Sequence, residues 1–195
     1  TILSGSSVYY GFSYIGGGSN NTASSDYGTI INGFGNTASS YYATIINGNG
    51  NTVSDSGGAI INGIDNTVSG RYGTVVNGQY NTASGLYSFI GNGRDNTASG
   101  KYSHSEGALT TASGDYSHAG GYNTYANFAS HAEGESTIAI GDASHAEGAS
   151  TTASGGFSHA EGDGTIASGP SSHAEGAGTI AIGDFSHAEG QNTTA

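Results

Sequence analysis

The sequence predicts an all-β protein, a parallel β-solenoid with coils of 14 or 15 residues and two short strands per coil. Three observations predict it: a short unit recurs along nearly the whole chain, the composition suits only a narrow interior, and side-chain parity separates small residues from large ones. Asn-Thr pairs begin at Asn21, Asn36, Asn51, Asn66, Asn81 and Asn96, each 15 residues after the last. Between them lie Thr29-Ile30-Ile31-Asn32-Gly33, Thr44-Ile45-Ile46-Asn47-Gly48, Ala59-Ile60-Ile61-Asn62-Gly63 and Thr74-Val75-Val76-Asn77-Gly78. Beyond Lys101 the unit becomes Ser-His-Ala-Glu-Gly or a close variant. It starts at Ser103, Ser117, Ser130, Ser144, Ser158, Ser172 and Ser186, at spacings of 14, 13, 14, 14, 14 and 14. Such a repeat is too short for a pair of helices, but it holds two strands of ~4–5 residues and two tight turns.

Taken in order along the coil, strand one reads Tyr-Ser-His-Ala-Glu and is closed by Gly. Strand two reads Thr-Thr-Ala-Ser and is closed by Gly or Ser. The 15-residue form places its extra residue in strand one or at its exit, as a bulge or wider turn. Residues 1–100 thus form a solenoid of 15-residue Asn-Gly/Asn-Thr repeats and residues 101–195 one of 14-residue Ser-His-Ala-Glu-Gly repeats. The two are read as one continuous rod, a fragment of a longer chain.

Composition agrees. Of 195 residues 36 are Gly, and Met, Trp and Cys are absent. Small side chains cannot fill a wide interior at protein density, but they fill the gap between two strands lying back to back. Strict periodicity together with 13 Tyr and 6 Phe argues against a disordered Gly-rich chain. The net charge of −12, with Arg71, Arg94 and Lys101 as the positive residues, lacks the basic footprint of a nucleic-acid binder. No apolar run approaches the ~18 residues of a membrane span, so no membrane insertion is expected of this segment. Without Cys there are neither disulfides nor thiolate metal sites.

Parity places Ser and Ala of the Ser-His-Ala-Glu unit inside the coil and His, Glu and the aromatic outside. The aromatic column runs through Tyr27, Tyr42, Tyr72, Tyr87, Tyr102, Tyr116, Phe157 and Phe185, and is read as a ladder of stacked rings. Outward Glu106, Glu133, Glu147, Glu161, Glu175 and Glu189 form a column of like charge, which the His column, ~7 Å away along the strand, relieves only in part. Each Ile-Ile or Val-Val pair puts one member inside and leaves the other as an apolar stripe. Both features call for self-association along a seam: Ile31, Ile46, Ile61 and Val76 in the first half, and His145, Glu147, His159, Glu161, His173 and Glu175 in the second.

The unit Ser-His-Ala-Glu-Gly-x-x-Thr-Thr-Ala-Ser-Gly resembles the 14-residue head unit of trimeric autotransporter adhesins of the YadA type, through its Ser-x-Ala-x-Gly strand and the Ala-x-Gly that closes strand two. That resemblance implies a left-handed β-roll in an intertwined or side-by-side homotrimer. Where the family has Val and Ile this chain has His and Glu, which implies a polar seam over 103–189. The same arrays, and the stretch 87–100 that opens Tyr87-Ser88-Phe89-Ile90-Gly91, are similar to segments of phage and large-virus fibres.

The function expected from this is a structural and adhesive fibre segment, the shaft or head of a phage or viral tail fibre that projects a receptor-binding region. The alternative is the head of a bacterial cell-surface trimeric adhesin. Partners are then other copies of the chain and a host receptor or glycan, at the virion surface or the extracellular or cell surface. An enzyme is not expected: Ser103 and His104 alternate faces, and a catalytic group is not copied in every coil. No cofactor is expected. His104, His118, His131, His145, His159, His173 and His187 could ring a three-fold axis as imidazole ligands for Zn²⁺, but repetition in every coil favours a hydrogen-bonded His–Glu ladder. Protonation near the ordinary pKa of ~6.5 is then expected to strengthen the ladder.

Tyr122, Tyr125 and Phe128, in the 13-residue step where Gly120 replaces Glu, are the candidate binding residues. Pro170, the one proline, marks a turn or edge. An ice-binding solenoid is a further alternative. It needs a Thr array on every coil, and the series Thr29, Thr44, Thr74 is interrupted by Ala59 and Phe89.

Overall fold

The computed structural model describes residues 5–8 and 11–195, and every regular element in them is a β-strand. The chain divides into two units, Thr1–Tyr102 and Ser103–Ala195. In each, strands alternate between two sheets, and every strand pairs in parallel with its equivalent one coil away. That pattern, with no hairpin, is a parallel β-solenoid.

In the first unit one sheet carries Thr22–Ala23, Thr37–Ala38, Thr52–Val53, Thr67–Val68, Thr82–Ala83 and Thr97–Ala98, preceded by Ser7–Val8. Their register advances by 15 residues, Thr22 opposite Thr37 and Thr52 opposite Thr67. The other sheet carries Tyr14–Ile15, Thr29–Ile30, Thr44–Ile45, Ala59–Ile60, Thr74–Val75 and Phe89–Arg94. Inward Ile30, Ile45, Ile60, Val75 and Ile90 meet Ala23, Ala38, Val53, Val68, Ala83 and Ala98 from the facing sheet, all without solvent exposure.

The second unit repeats this arrangement on a smaller bore. Its first strands are five residues long, among them His104–Ala108, His131–Glu135, His145–Ala149 and His159–Asp163. Its second strands, such as Thr111–Ala112 and Thr152–Ala153, keep two. From the coil of Ala112 and Ala119 onward, the apolar interior is alanine on both sides, through Ala146, Ala153, Ala160 and Ala167. The size of the inward residue follows the length of the coil. In the first unit the ladder breaks after Ile30 and resumes at Phe34, which bridges Ser19 and Asn49, so Ile31 and Asn32 stand where the second unit has Glu alone. This is the extra residue, placed as a bulge at the exit of the first strand and repeated in register from coil to coil. Ile31 N–H still donates to Ile45 O at 3.0 Å and Asn32 N–H to Ile46 O at 3.0 Å. A bulge stacked on a bulge keeps its hydrogen bonds, whereas a single one would leave a mismatch. The longer coil accommodates Ile or Val, each contributing about 1.5–3 kcal/mol when fully buried. The shorter coil exchanges that burial for an uninterrupted five-residue ladder.

Two details differ from the reading of the sequence. The aromatic residue does not belong to strand one, because it sits third in a β-turn. In Gly155-Gly156-Phe157-Ser158 the Ser158 N–H bonds Gly155 O at 3.2 Å, and Phe157 has φ of 59°, the type II arrangement. Tyr27, Tyr42, Tyr72, Tyr87, Tyr102 and Tyr116 share this left-handed conformation, and so do Ala129, Ala143 and Ser171 where the aromatic column is interrupted. The conformation is therefore imposed by the coil rather than by the residue. Its cost of roughly 1–2 kcal/mol for a non-Gly residue is comparable with the ~0.5–1.5 kcal/mol of a stacked ring pair. The rings do stack, Tyr27 on Tyr42 at 4.9 Å, Tyr72 on Tyr87 at 4.9 Å and Tyr87 on Tyr102 at 5.1 Å.

The Gly of Ser-His-Ala-Glu-Gly does not close the strand but lies within it. Gly162 has φ of 117°, and a Cβ there would run into Gly176 O of the next coil. Pro170 takes the second position of its turn, where φ near −65° is required in types I and II. The ladder donor at this level is the following residue, Ser171 N–H to Gly156 O at 2.8 Å, so the missing proline N–H leaves no gap.

Candidate interaction surfaces

Two outward faces carry the exposed chemistry. On the first-strand sheet of the second unit, in-register pairing puts His131 opposite His145 and Glu133 opposite Glu147, and the columns continue through His159, Glu161, His173 and Glu175. Imidazole rings lie 4.6–4.9 Å apart from His104 to His187. Each His also reaches a Glu. Nε2–Oε2 distances are 3.2 Å for His131–Glu133, 3.4 Å for His145–Glu147 and 3.5 Å for both His159–Glu161 and His173–Glu175. The Cα spacing of ~7 Å suggested a weaker contact; both side chains lean along the strand and close it. Each of these Glu side chains thus has an imidazole within reach inside its own chain.

Where Gly120 replaces Glu, Glu106 serves two rings, His104 at 3.8 Å and His118 at 3.9 Å. These three residues bring their donor atoms within 4.8 Å of one another. The Zn–N and Zn–O lengths of ~2.0–2.2 Å would set ligand atoms ~3.3 Å apart, so the trio is wider than a bound ion would make it. Burial, then the neighbouring His104 and His131, hold the His118 pKa below its ordinary value. Burial likewise lowers that of His145, and the bond to Glu147 opposes this only in part. The expected strengthening by protonation is therefore reversed for these two: a ring stacked between two others loses hydration and meets like charge on both sides.

Ser and the adjacent His occupy opposite sides of the strand. Ser144, Ser158 and Ser172 are buried while the imidazoles face out, so the pair cannot act as nucleophile and base. In the first unit the outward position of Glu holds Ile31, 47 % exposed, and Ile61, 38 % exposed, with Ile46 and Val76 half-buried in the same series. Tyr122, Tyr125 and Phe128 are exposed but lie on three different elements. Tyr122 ends strand His118–Tyr122, Tyr125 opens Tyr125–Ala126, and Phe128 lies in the turn closed by Ser130 N–H and Asn127 O. The fold does not gather them on one strand. The 13-residue step arises because Asn127, the first residue of that turn, directly follows inward Ala126; in the other coils of this unit an outward Ser or Ile occupies the intervening place, as Ser113, Ile140 and Ser154 do.

The second-strand sheet holds what the sequence reading overlooked. In Asn-Thr-Ala-Ser the Asn and Ala point inward and the Thr and Ser outward. Asn36, Asn51, Asn66, Asn81 and Asn96 are fully buried. Each backbone N–H bonds the preceding Oδ1 at 3.0 Å, and Asn51, Asn66 and Asn81 send Nδ2 to the next coil's Gly carbonyl at 2.9 Å. In the second unit Thr110, Thr124, Thr137, Thr151, Thr165 and Thr179 occupy this place. The period-two alternation was the available signal.

The model of the YadA head domain repeat matches four overlapping stretches, 132–158, 146–172, 160–186 and 174–195. Together they cover residues 132–195, which are similar to the YadA head repeat. Successive matches begin 14 residues apart, the length of one coil, and each of the first three spans close to two coils. Inward Ala146, Ala160 and Ala174 each open one of the matched stretches. No curated protein matches the chain.

Proposed function

We propose that this chain is a structural and adhesive fibre segment, assembled as a homotrimer along its first-strand sheets, that projects a receptor-binding region from the surface of its carrier. The observation that carries the reading is the outward column of that sheet, which keeps strict register in every coil. A lone chain leaves Ile31, Ile46, Ile61 and Val76 as an apolar stripe, and water contact along such a stripe favours association. In the second unit the His–Glu columns supply a polar seam through His145, Glu147, His159, Glu161, His173 and Glu175. The carrier we assign is a virion, on the likeness to phage and large-virus fibre arrays. The match to the YadA head repeat favours a second reading, the head of a cell-surface adhesin. In either, the partner beyond the trimer is a host receptor or glycan, and Tyr122, Tyr125 and Phe128 are separate exposed anchors rather than one pocket. Mass measured in native buffer tests the assembly: three chain masses are expected, and a monomer contradicts it.

A further inference from the structure

We propose that the outer face of the second-strand sheet in the first unit binds ice. Thr22, Thr37, Thr52, Thr67, Thr82 and Thr97 stand directly opposite one another on successive strands. Two residues on, Ser24, Ser39, Ser54, Ser69, Ser84 and Ser99 form a second column on the same side. The result is a lattice of hydroxyls with a repeat of ~4.8 Å between strands and ~6.7 Å along them.

Three properties make this lattice a surface rather than ordinary strand decoration. First, it is rigid. Between the two columns the inward Ala23, Ala38, Val53, Val68, Ala83 and Ala98 have no exposure, the Asn ladder pins the start of each strand, and Thr is stiff at χ1. Second, it is unsatisfied: among the described residues none of the six Thr hydroxyls makes a hydrogen bond within the chain. Ser39 and Ser54 direct their hydroxyls to the next coil, onto Val53 O at 3.3 Å and Val68 O at 3.5 Å, which orients that column and leaves its lone pairs open. Third, neither column carries a charged side chain.

A ligand for such a face must itself be neutral, periodic and rich in hydrogen-bond donors and acceptors. Ordered water in ice fits, because its oxygens repeat at spacings close to those of the lattice, and each Thr offers a hydroxyl to bond and a methyl to sit against the cage. A glycan would call for aromatic rings to stack on, and neither hydroxyl column contains one. In the second unit Tyr125, Ile138, Ile166 and Ile180 interrupt the same column, which confines the surface to the first. The Thr series that an ice-binding reading of the sequence considered, Thr29, Thr44 and Thr74, belongs to the other sheet; the uninterrupted series lies here.

The test is thermal hysteresis and crystal shape measured on the whole chain by nanolitre osmometry. Hysteresis with faceted crystals is expected. Thr67→Tyr should abolish it with an unchanged far-UV CD melt, since Tyr125 already fills the equivalent position in the second unit, and Thr152→Tyr should leave it intact. Ser69→Tyr, on an exposed residue of the second column, should abolish it too and serves if Thr67→Tyr fails to fold. Crystals that grow as in buffer alone, or full hysteresis in the folded Thr67→Tyr or Ser69→Tyr chain, would overturn the proposal.

Discussion

Asn66 shows how a single residue is held between coils. Its backbone N–H bonds Asn51 Oδ1 at 3.0 Å, its Nδ2 bonds Asn51 Oδ1 at 3.0 Å and Gly78 O at 2.9 Å, and its Oδ1 receives Asn81 N–H at 3.0 Å. Truncation leaves the buried Asn81 N–H without its acceptor and removes a donor from Gly78 O. At ~1–3 kcal/mol for each buried group left unpaired, Asn66→Ala should cost about 2–4 kcal/mol in chemical denaturation. Asn62→Ala, on an exposed side chain, should stay within ~0.5 kcal/mol; equal effects would show that the ladder is not a source of stability. The Asn-Thr pair was plain in the sequence as the beat of the repeat. Its burial was not, because a polar residue defaults to the outside and only the coils above and below supply the partners that let it turn inward. The left-handed φ at Tyr27 and Phe157 was hidden for a related reason: nothing in the identity of an aromatic residue announces it, and the coil imposes it equally on Ala129.

At the scale of the element, the two strand types explain one another. A coil with the bulge at Ile31-Asn32 encloses Ile and Ala, and a coil without it encloses paired alanines. That one residue was extra, and that it fell at the first strand or its exit, could be read from the alignment of the two repeats. Its coupling to interior size depends on which of two adjacent isoleucines turns inward, and alternation made that legible too. The charge behaviour of the His column was not legible, since it depends on how far the stacked rings are withdrawn from water, which spacing along the sequence does not reveal. Burial and adjacent imidazoles depress the pKa values of His118 and His145 in the folded state. The unfolded chain, with pKa near ~6.5, takes up their protons first. Their contribution to stability is therefore full above that value and is lost as pH falls through it toward the folded pKa values. The Tm of the chain should decline between about pH 7.5 and pH 5.5, followed by calorimetry. A rise over the same range would mean that the Glu contacts outweigh burial and ring–ring repulsion.

For the whole molecule, each coil bonds only to its neighbours, so stability accrues by nearest-neighbour terms, and the sheet faces are left for contacts beyond the chain. In the first unit the first-strand sheet presents Ile31 and Ile61 and the second-strand sheet presents hydroxyls; in the second unit the first-strand sheet presents His–Glu pairs. The proposed trimer makes the first-strand sheets the seam between copies and leaves the second-strand sheets open. The chain contains no Cys, so a single introduced Cys carries a unique spin label. Dipolar distances between labelled chains should be shorter for Ile46→Cys and His145→Cys, on first-strand sheets, than for Thr52→Cys and Thr152→Cys on second-strand sheets. The reverse order, or no coupling between chains at any of the four positions, would contradict the account.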